Sequence, residues 1–111
     1  MVEHSLTDDQ MTLLHLLAYI SLQNARPDRA VVLFDALEVL RPDRPEWLRG
    51  LAIAHLRKNT PQQALDALDR LAMSSGVDAT FHLLRAQALV QLERNDEAAL
   101  AMRSYLQLRG S

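Results

Sequence analysis

Residues 52–68 read AIAHLRKNTPQQALDAL and carry the main signals for the fold of the chain. At the centre of this stretch, Thr60-Pro61-Gln62-Gln63 combines an N-cap residue, a proline for the first helical position and a capping-box glutamine. Alanine and leucine, both strong helix formers, dominate the residues on either side. The stretch therefore predicts two helices that meet in a tight turn at Thr60.

The same pattern occurs 34 residues earlier and 34 residues later. Small residues allow the two helices of a hairpin to approach closely, and large apolar residues fill the space between neighbouring hairpins. A 34-residue period with both features predicts three helical hairpins in one array. The matching sets are Ala18, Ala52 and Ala86; Ala30, Ala64 and Ala98; Phe34, Leu68 and Met102; and Leu37, Leu71 and Tyr105.

The fold class expected from this pattern is all-α, with six antiparallel helices. Thr7 and Gln10 can form a capping box, Pro27 and Pro45 suit first-turn positions, and Ser74-Ser75-Gly76 is a turn. We expect helices over residues 7–24, 27–41, 45–58, 61–74, 79–92 and 96–109. These make repeats of approximately 7–42, 45–76 and 79–109 in a single domain over residues 1–111. Met73 and Met102 are expected to fill the core.

Composition narrows the class of function. The 111 residues are 49% hydrophobic, which is enough for a core, and the net charge of -2 with a pI of about 6.0 does not suggest a nucleic-acid binder. The chain has no cysteine, so disulfides and thiolate metal sites are excluded. The polar start and the lack of an apolar run of roughly 18 residues predict neither a secretory signal nor membrane insertion. We expect a cytoplasmic protein.

Four histidines are the candidates for metal binding or proton transfer near neutral pH: His4, His15, His55 and His82. No two of them are spaced to share one turn of a helix, and no glycine-rich phosphate loop or Gly-x-Ser-x-Gly motif is present. We therefore expect no catalytic site, metal or cofactor, and interpret the histidines as structural or surface residues.

The order and spacing of these residues resemble the tetratricopeptide repeat. The first repeat carries the pattern with leucine in place of two consensus residues, as Leu14, Leu17, Ala18, Ala30, Phe34, Leu37 and Pro42. The resemblance implies a short right-handed superhelix with a concave groove formed by the first helix of each hairpin. It also implies a protein that binds other proteins and is not an enzyme.

By the same resemblance, each repeat contributes four residues to partner binding in the groove. Exposed apolar side chains among polar ones are typical of binding surfaces. The residues are His15, Tyr19, Leu22 and Gln23 from the first repeat, Arg49, Ile53, Leu56 and Arg57 from the second, and Leu83, Gln87, Val90 and Gln91 from the third.

A narrower similarity, over the whole chain, is to the small YscY/SctY chaperones of bacterial type III secretion. Four segments carry it: Leu6-Thr-Asp-Asp-Gln, Ala30-Val-Val-Leu-Phe-Asp-Ala-Leu, Arg85-Ala-Gln-Ala-Leu and Ser104-Tyr-Leu-Gln-Leu. The similarity implies a cytoplasmic bacterial chaperone, linked to protein transport and virulence, that holds a small secreted YscX/SctX-like partner. It also implies delivery of that partner to the cytoplasmic domain of the export gate.

Two other interpretations stay open. The related chaperones of needle or translocator subunits are also tetratricopeptide proteins. A general interaction scaffold that binds a short peptide is the second, with Arg49 and Arg57 as a clamp for a terminal carboxylate. Because no polar solvating helix follows the third repeat, self-association of the protein alone is a further expectation.

Overall fold

The structure, a computed structural model, describes residues 6–110 apart from the side chain of Ser75. Over these residues it consists of six helices and turns, with no strand, which confirms the all-α prediction. Every helix begins and ends within one residue of its expected position. The helices are α1 (Asp8–Gln23), α2 (Pro27–Leu40), α3 (Pro45–Arg57), α4 (Pro61–Ser75), α5 (Ala79–Gln91) and α6 (Asn95–Arg109).

The start of α1 has the predicted capping box. The Gln10 N–H donates to Thr7 Oγ1 at 3.2 Å, and the Thr7 N–H donates to Gln10 Oε1 at 2.9 Å. Proline occupies the first turn of α2, α3 and α4, where its missing N–H has no intrahelical partner to lose. Local sequence therefore accounts for most of the helix starts.

The start of α4 differs from the expectation. Pro61 does begin the helix, but Thr60 makes no side-chain capping bond to it. The Thr60 hydroxyl instead donates to the carbonyl oxygen of His55 at 3.0 Å and lies 2.9 Å from His55 Nδ1. The predicted capping box at Thr60 is wrong, because the turn after α3 already uses the hydroxyl.

The turns within the three hairpins share one backbone conformation. Ala25, Asn59 and Glu93, each 34 residues apart, have φ angles of 56°, 60° and 59°. A left-handed residue of this kind ends a helix by allowing the next N–H to reach back to the last turn. These N–H to O distances are 2.8 Å for Arg26 to Ser21, 2.9 Å for Thr60 to His55 and 2.9 Å for Arg94 to Leu89.

The core runs along the array, between each hairpin and the next. The alanines of the repeat pattern are buried, and Phe34 and Leu68 are fully buried. A Cβ atom on Gly50 would overlap the ring of Phe34, so α3 lies against the first hairpin at a distance that only glycine permits. We call the packing of α3 on α1 and α2 the first junction, and that of α5 on α3 and α4 the second junction.

Met73 is not in the core, contrary to expectation, since its side chain is exposed. Successive residues of a helix are about 100° apart, so Met73 points roughly 200° away from the buried Leu71. Met102 is partly exposed for a different reason, which concerns the end of the array.

Candidate functional site

The array has two layers of helices with unequal spacing. Within the inner layer, α1 contacts α3 and α3 contacts α5, whereas the backbones of α2, α4 and α6 do not meet one another anywhere in residues 6–110. Because the inner helices are closer together than the outer ones, the array curves toward the inner layer. The concave face therefore belongs to α1, α3 and α5, the first helices of the three hairpins.

A cluster of charged side chains connects α2 and α4 in the outer layer, where the backbones of these two helices do not touch. The buried carboxylate of Glu38 on α2 accepts two contacts from the Asp43 N–H, at 2.9 and 3.1 Å, and also pairs with Arg70 of α4. Arg70 lies 3.1 Å from the Asp43 carboxylate as well. The hydrogen bonds and the ion pair satisfy the buried carboxylate oxygens, and the cluster fixes α4 relative to α2.

Most residues predicted for the groove are accessible. In the first repeat His15 is half-buried, and Tyr19 and Gln23 are exposed. The other accessible members are Arg49, Ile53 and Arg57 of α3 and Leu83, Gln87, Val90 and Gln91 of α5. Their role in binding a partner stays a prediction.

Leu22 and Leu56 are placed differently from the expectation. They are only 5% and 8% exposed and belong to the buried core. Each lies where the first helix of the next repeat reaches it, since Arg57 and Gln91 donate to the carbonyl oxygens of Leu22 and Leu56. Both side chains support the wall of the groove from within and do not line its surface. The sequence pattern cannot show this, because the same position is occupied by the exposed Val90 in the third repeat.

Four rings form a cluster at the first junction. The His15 ring lies 4.8 Å from Tyr19, 4.6 Å from Trp47 and 6.1 Å from Phe34, measured between centroids. Tyr19 also meets Phe34 edge to face at 5.7 Å. Tyr19 is the exposed member, so this rigid cluster presents an aromatic surface to the concave face.

Trp47 is a residue of the groove wall that the sequence interpretation missed. It is 7% exposed, so its apolar rings are buried. Its Nε1–H donates a hydrogen bond to the carbonyl oxygen of Arg41 at 3.1 Å, so its polar group is paired as well. The signal was present, since Trp47 is the single tryptophan of the chain and stands in the first turn of α3.

The electrostatics of His15 follow from this packing. Burial lowers the pKa of His15 below its ordinary value of 6.5, although the nearby Glu46 carboxylate acts in the opposite direction. Its Nε2 atom is buried and has no hydrogen-bond partner among the described residues. The ring is therefore neutral at pH 7, and the cluster behaves as an apolar surface.

The two arginines predicted for the groove lie in different surroundings on α3. The Arg57 guanidinium donates from Nη1 to the carbonyl oxygen of Leu22 at 2.9 Å, which ties the end of α3 to the end of α1. Gln91 repeats this bond 34 residues later, from Nε2 to the carbonyl oxygen of Leu56 at 3.3 Å. Arg49 lines a separate small cavity with Asp78 beside the turn before α5.

The three described histidines, predicted to be structural or surface residues, lie on three different helices. His55 bonds with Thr60, and its pKa is lowered, mainly by burial. His82 meets the ring of Phe81 at 5.3 Å, and His4 lies outside the described residues. Within residues 6–110 no group of three or more histidine, aspartate or glutamate side chains is placed to hold a metal ion. No helix in that range is long and apolar enough to cross a membrane.

Two solved structures resemble the chain over nearly its whole length. One is the type III secretion translocator chaperone SycD of Yersinia enterocolitica, with a TM-score of 0.86 and 21% identity over 95% of this chain and 80% of that one. The other is PcrH in complex with the chaperone binding region of PopB, with a TM-score of 0.85 and 24% identity over 93% of this chain and 83% of that one. At these identities the likeness shows a common fold.

Comparison with curated proteins finds no match. The model of the family described as the tetratricopeptide repeat matches residues 15–78 and again 61–111, which together cover most of the chain. The 34-residue period, the six helices and the buried alanines agree with this family match. The chain therefore belongs to the tetratricopeptide repeat family.

Proposed function

We propose that the chain is a type III secretion chaperone that holds a segment of a secreted protein in its concave groove. The observation that carries the proposal is the ring cluster at the first junction, whose exposed member Tyr19 lies on α1. The accessible Ile53 and the basic Arg57 lie on α3, the inner helix that contacts α1. A protein awaiting export is kept unfolded, so its apolar side chains need a surface that shields them from water. The likeness to SycD and PcrH supports the same role.

The proposed partner is a small secreted protein similar to YscX/SctX, which the chaperone brings to the export gate in the bacterial cytoplasm. The support is the similarity of four segments of this chain to the YscY/SctY chaperones. Aromatic and aliphatic anchors in the groove would take apolar side chains of the partner, and Arg49 and Arg57 would favour acidic residues between them.

A translocator protein is the second candidate partner, and a specific observation favours it. SycD is a translocator chaperone, and PcrH was solved with the chaperone binding region of PopB. Both proposals use the same groove and differ in the cargo.

The test is co-purification from cells that express the tagged chain together with the secretion system. Mass spectrometry of the bound material should identify one small secreted protein under the first proposal, and a translocator under the second. Recovery of neither class with the intact chain would overturn the chaperone function.

Matched variants locate the binding surface. We expect Tyr19→Glu to weaken binding of the recovered partner by more than about 2 kcal/mol, as for a buried aromatic anchor. The control is Val39→Glu, which introduces the same charge at a side chain 79% exposed on the outer layer. Equal affinity of the two variants would remove the concave face from the proposal.

A further inference from the structure

The last repeat exposes residues that the first two repeats bury. Leu22 and Leu56 are covered at the first and second junctions, whereas Val90, the next residue in the 34-residue series, is 57% exposed. Phe34 and Leu68 are likewise fully buried, and Met102 is 36% exposed. We call the face of α5 and α6 that contains Val90, Ala99 and Met102 the open end.

The open end has the shape of an unfilled junction. It is a mainly apolar cavity of about 570 Å³ between α5 and α6. Its apolar lining is Ala86, Val90, Ala98, Ala99 and Met102, and its polar lining is Gln87, Gln91 and Asn95. The corresponding spaces earlier in the array are filled by α3 and α5. The open end is therefore shaped to receive a helix of the same type.

The chain carries one such helix with its packing face uncovered. On α3, Trp47 and Gly50 are buried against the first hairpin. The matching residues of α1 are Leu13 and Leu16, which are 56% and 54% exposed. Ile20, one turn further along, is 39% exposed. We call Leu13, Leu16 and Ile20 the N-terminal face.

We propose that the N-terminal face of one copy of this protein docks on the open end of a second copy, so that the repeat array continues head to tail. In this arrangement α1 of the first copy lies on α5 and α6 of the second copy, as α3 lies on α1 and α2 within one chain.

The polar contacts of the junctions extend to this arrangement. Arg57 donates to the carbonyl oxygen of Leu22, and Gln91 to that of Leu56, one repeat back in each case. The next carbonyl oxygen in this 34-residue series is that of Val90, the last one in the described residues. It accepts the Glu93 N–H within its own turn. The corresponding donor in α1 is Gln23, whose exposed side-chain amide can donate to Val90 of the other copy.

Side-chain size and charge are also complementary. At the first junction Phe34 contacts Gly50. The corresponding pair at the second junction is Leu68 and Leu84, and between two copies it would be Met102 and Leu16. A leucine opposite a methionine has nearly the same volume as two leucines. The exposed carboxylate of Asp9 at the start of α1 would approach Arg109 at the end of α6, because the helices run antiparallel, whereas Asp8 already pairs with Arg41 at 2.8 Å.

A symmetric pair of N-terminal faces fits the same observations less well. It would cover the leucines of α1 in both copies but leave Val90 and Met102 in water. The Gln23 amide would then have no carbonyl oxygen of a preceding repeat to which it could donate. A head-to-tail contact covers both faces with one set of contacts. Because it does not close on itself, it predicts open chains whose length grows with concentration.

Sedimentation equilibrium of the purified protein over a range of concentrations tests the proposal. The average mass should rise with concentration above the 12.5 kDa of one chain. Leu16→Glu on the N-terminal face and Met102→Glu on the open end should each lower the association constant about tenfold or more, since each buries a charge in an apolar contact. Val39→Glu, on the outer layer, should leave it unchanged.

Mixing the two variants distinguishes the head-to-tail contact from the symmetric one. Each variant retains one intact face, so an equimolar mixture of Leu16→Glu and Met102→Glu should form a discrete pair of one chain each and stop there. A wild-type protein that stays monomeric up to millimolar concentration overturns the proposal. So does a Met102→Glu variant that associates as strongly as wild type, because a symmetric pair does not use the open end.

Discussion

The first junction and the open end use the same positions of the repeat but differ in what covers them. At the first junction α3 lies on Leu22 and Phe34, and Gly50 allows it to approach the Phe34 ring. At the open end the equivalent Val90 and Met102 face solvent. A position in a repeat therefore has no fixed burial. The neighbouring repeat decides whether a large apolar side chain is core or surface.

The largest expected effect is the loss of a leucine from a covered position. Leu56→Ala should lower the free energy of unfolding by about 2 to 5 kcal/mol, because the side chain is 8% exposed and leaves a cavity at the second junction. Val90→Ala, at the same position of the third repeat, should cost less than about 0.5 kcal/mol in dilute protein. Denaturant unfolding measures both. Equal losses would contradict the assignment of Val90 to an open face.

An added methyl group should have the next largest effect. Gly50→Ala places a Cβ atom in the Phe34 ring, and we expect a net loss of about 1 to 2 kcal/mol after the gain in helix propensity. Val90→Ile adds one carbon at the open end and should change stability by less than about 0.5 kcal/mol. Phe34→Leu combined with Gly50→Ala should lose less than the two single changes together. Additive losses would show that the overlap is not the cause.

A glycine substitution should have the same effect on stability in the hairpin turn of the first repeat as in that of the third. Ala25→Gly in the first repeat and Glu93→Gly in the third should each raise stability by about 0.5 to 1 kcal/mol, because glycine adopts a positive φ without steric cost. Thermal unfolding in dilute solution is the measurement. Similar gains at both turns would confine the difference between the regions to their packing, whereas a loss at either turn would mean that its side chain stabilises the turn in another way.

The smallest effect is a pH dependence at the first junction. Burial lowers the folded-state pKa of His15 below 6.5, so its contribution to stability is present above about pH 6.5 and is lost as the pH falls below that value. We expect the melting temperature to fall between about pH 7 and pH 5 in wild type and to fall less in His15→Phe. His55, whose pKa is also lowered, accounts for the remainder. Identical pH profiles would show that His15 contributes nothing.

The sequence predicted the fold well because its signals are local and repeated. The prolines at 27, 45 and 61 and the capping box at Thr7 fix helix starts through bonds within a few residues. The capping box at Thr60 failed because a competing bond to His55 is equally local and the sequence alone does not rank the two. The left-handed turn residues escaped notice because none of Ala25, Asn59 and Glu93 is glycine.

The candidate site was less predictable than the fold. Tyr19 and Ile53 are accessible as expected, but Leu22 and Leu56 are inside the array, and Trp47 belongs to the groove wall. A 34-residue alignment assigns one role to each position, whereas the packing assigns roles that change along the array.

The number of helices, their limits and their order follow from local sequence signals, because helix caps, prolines and apolar spacing act over one or two turns. Only the tertiary structure decided which apolar side chains are covered, which ring of the cluster at the first junction reaches the concave face, and that both ends of the array present uncovered packing faces. The physical reason is that burial depends on which helix lies against a residue, and that helix is about 34 residues away in the chain or in another molecule.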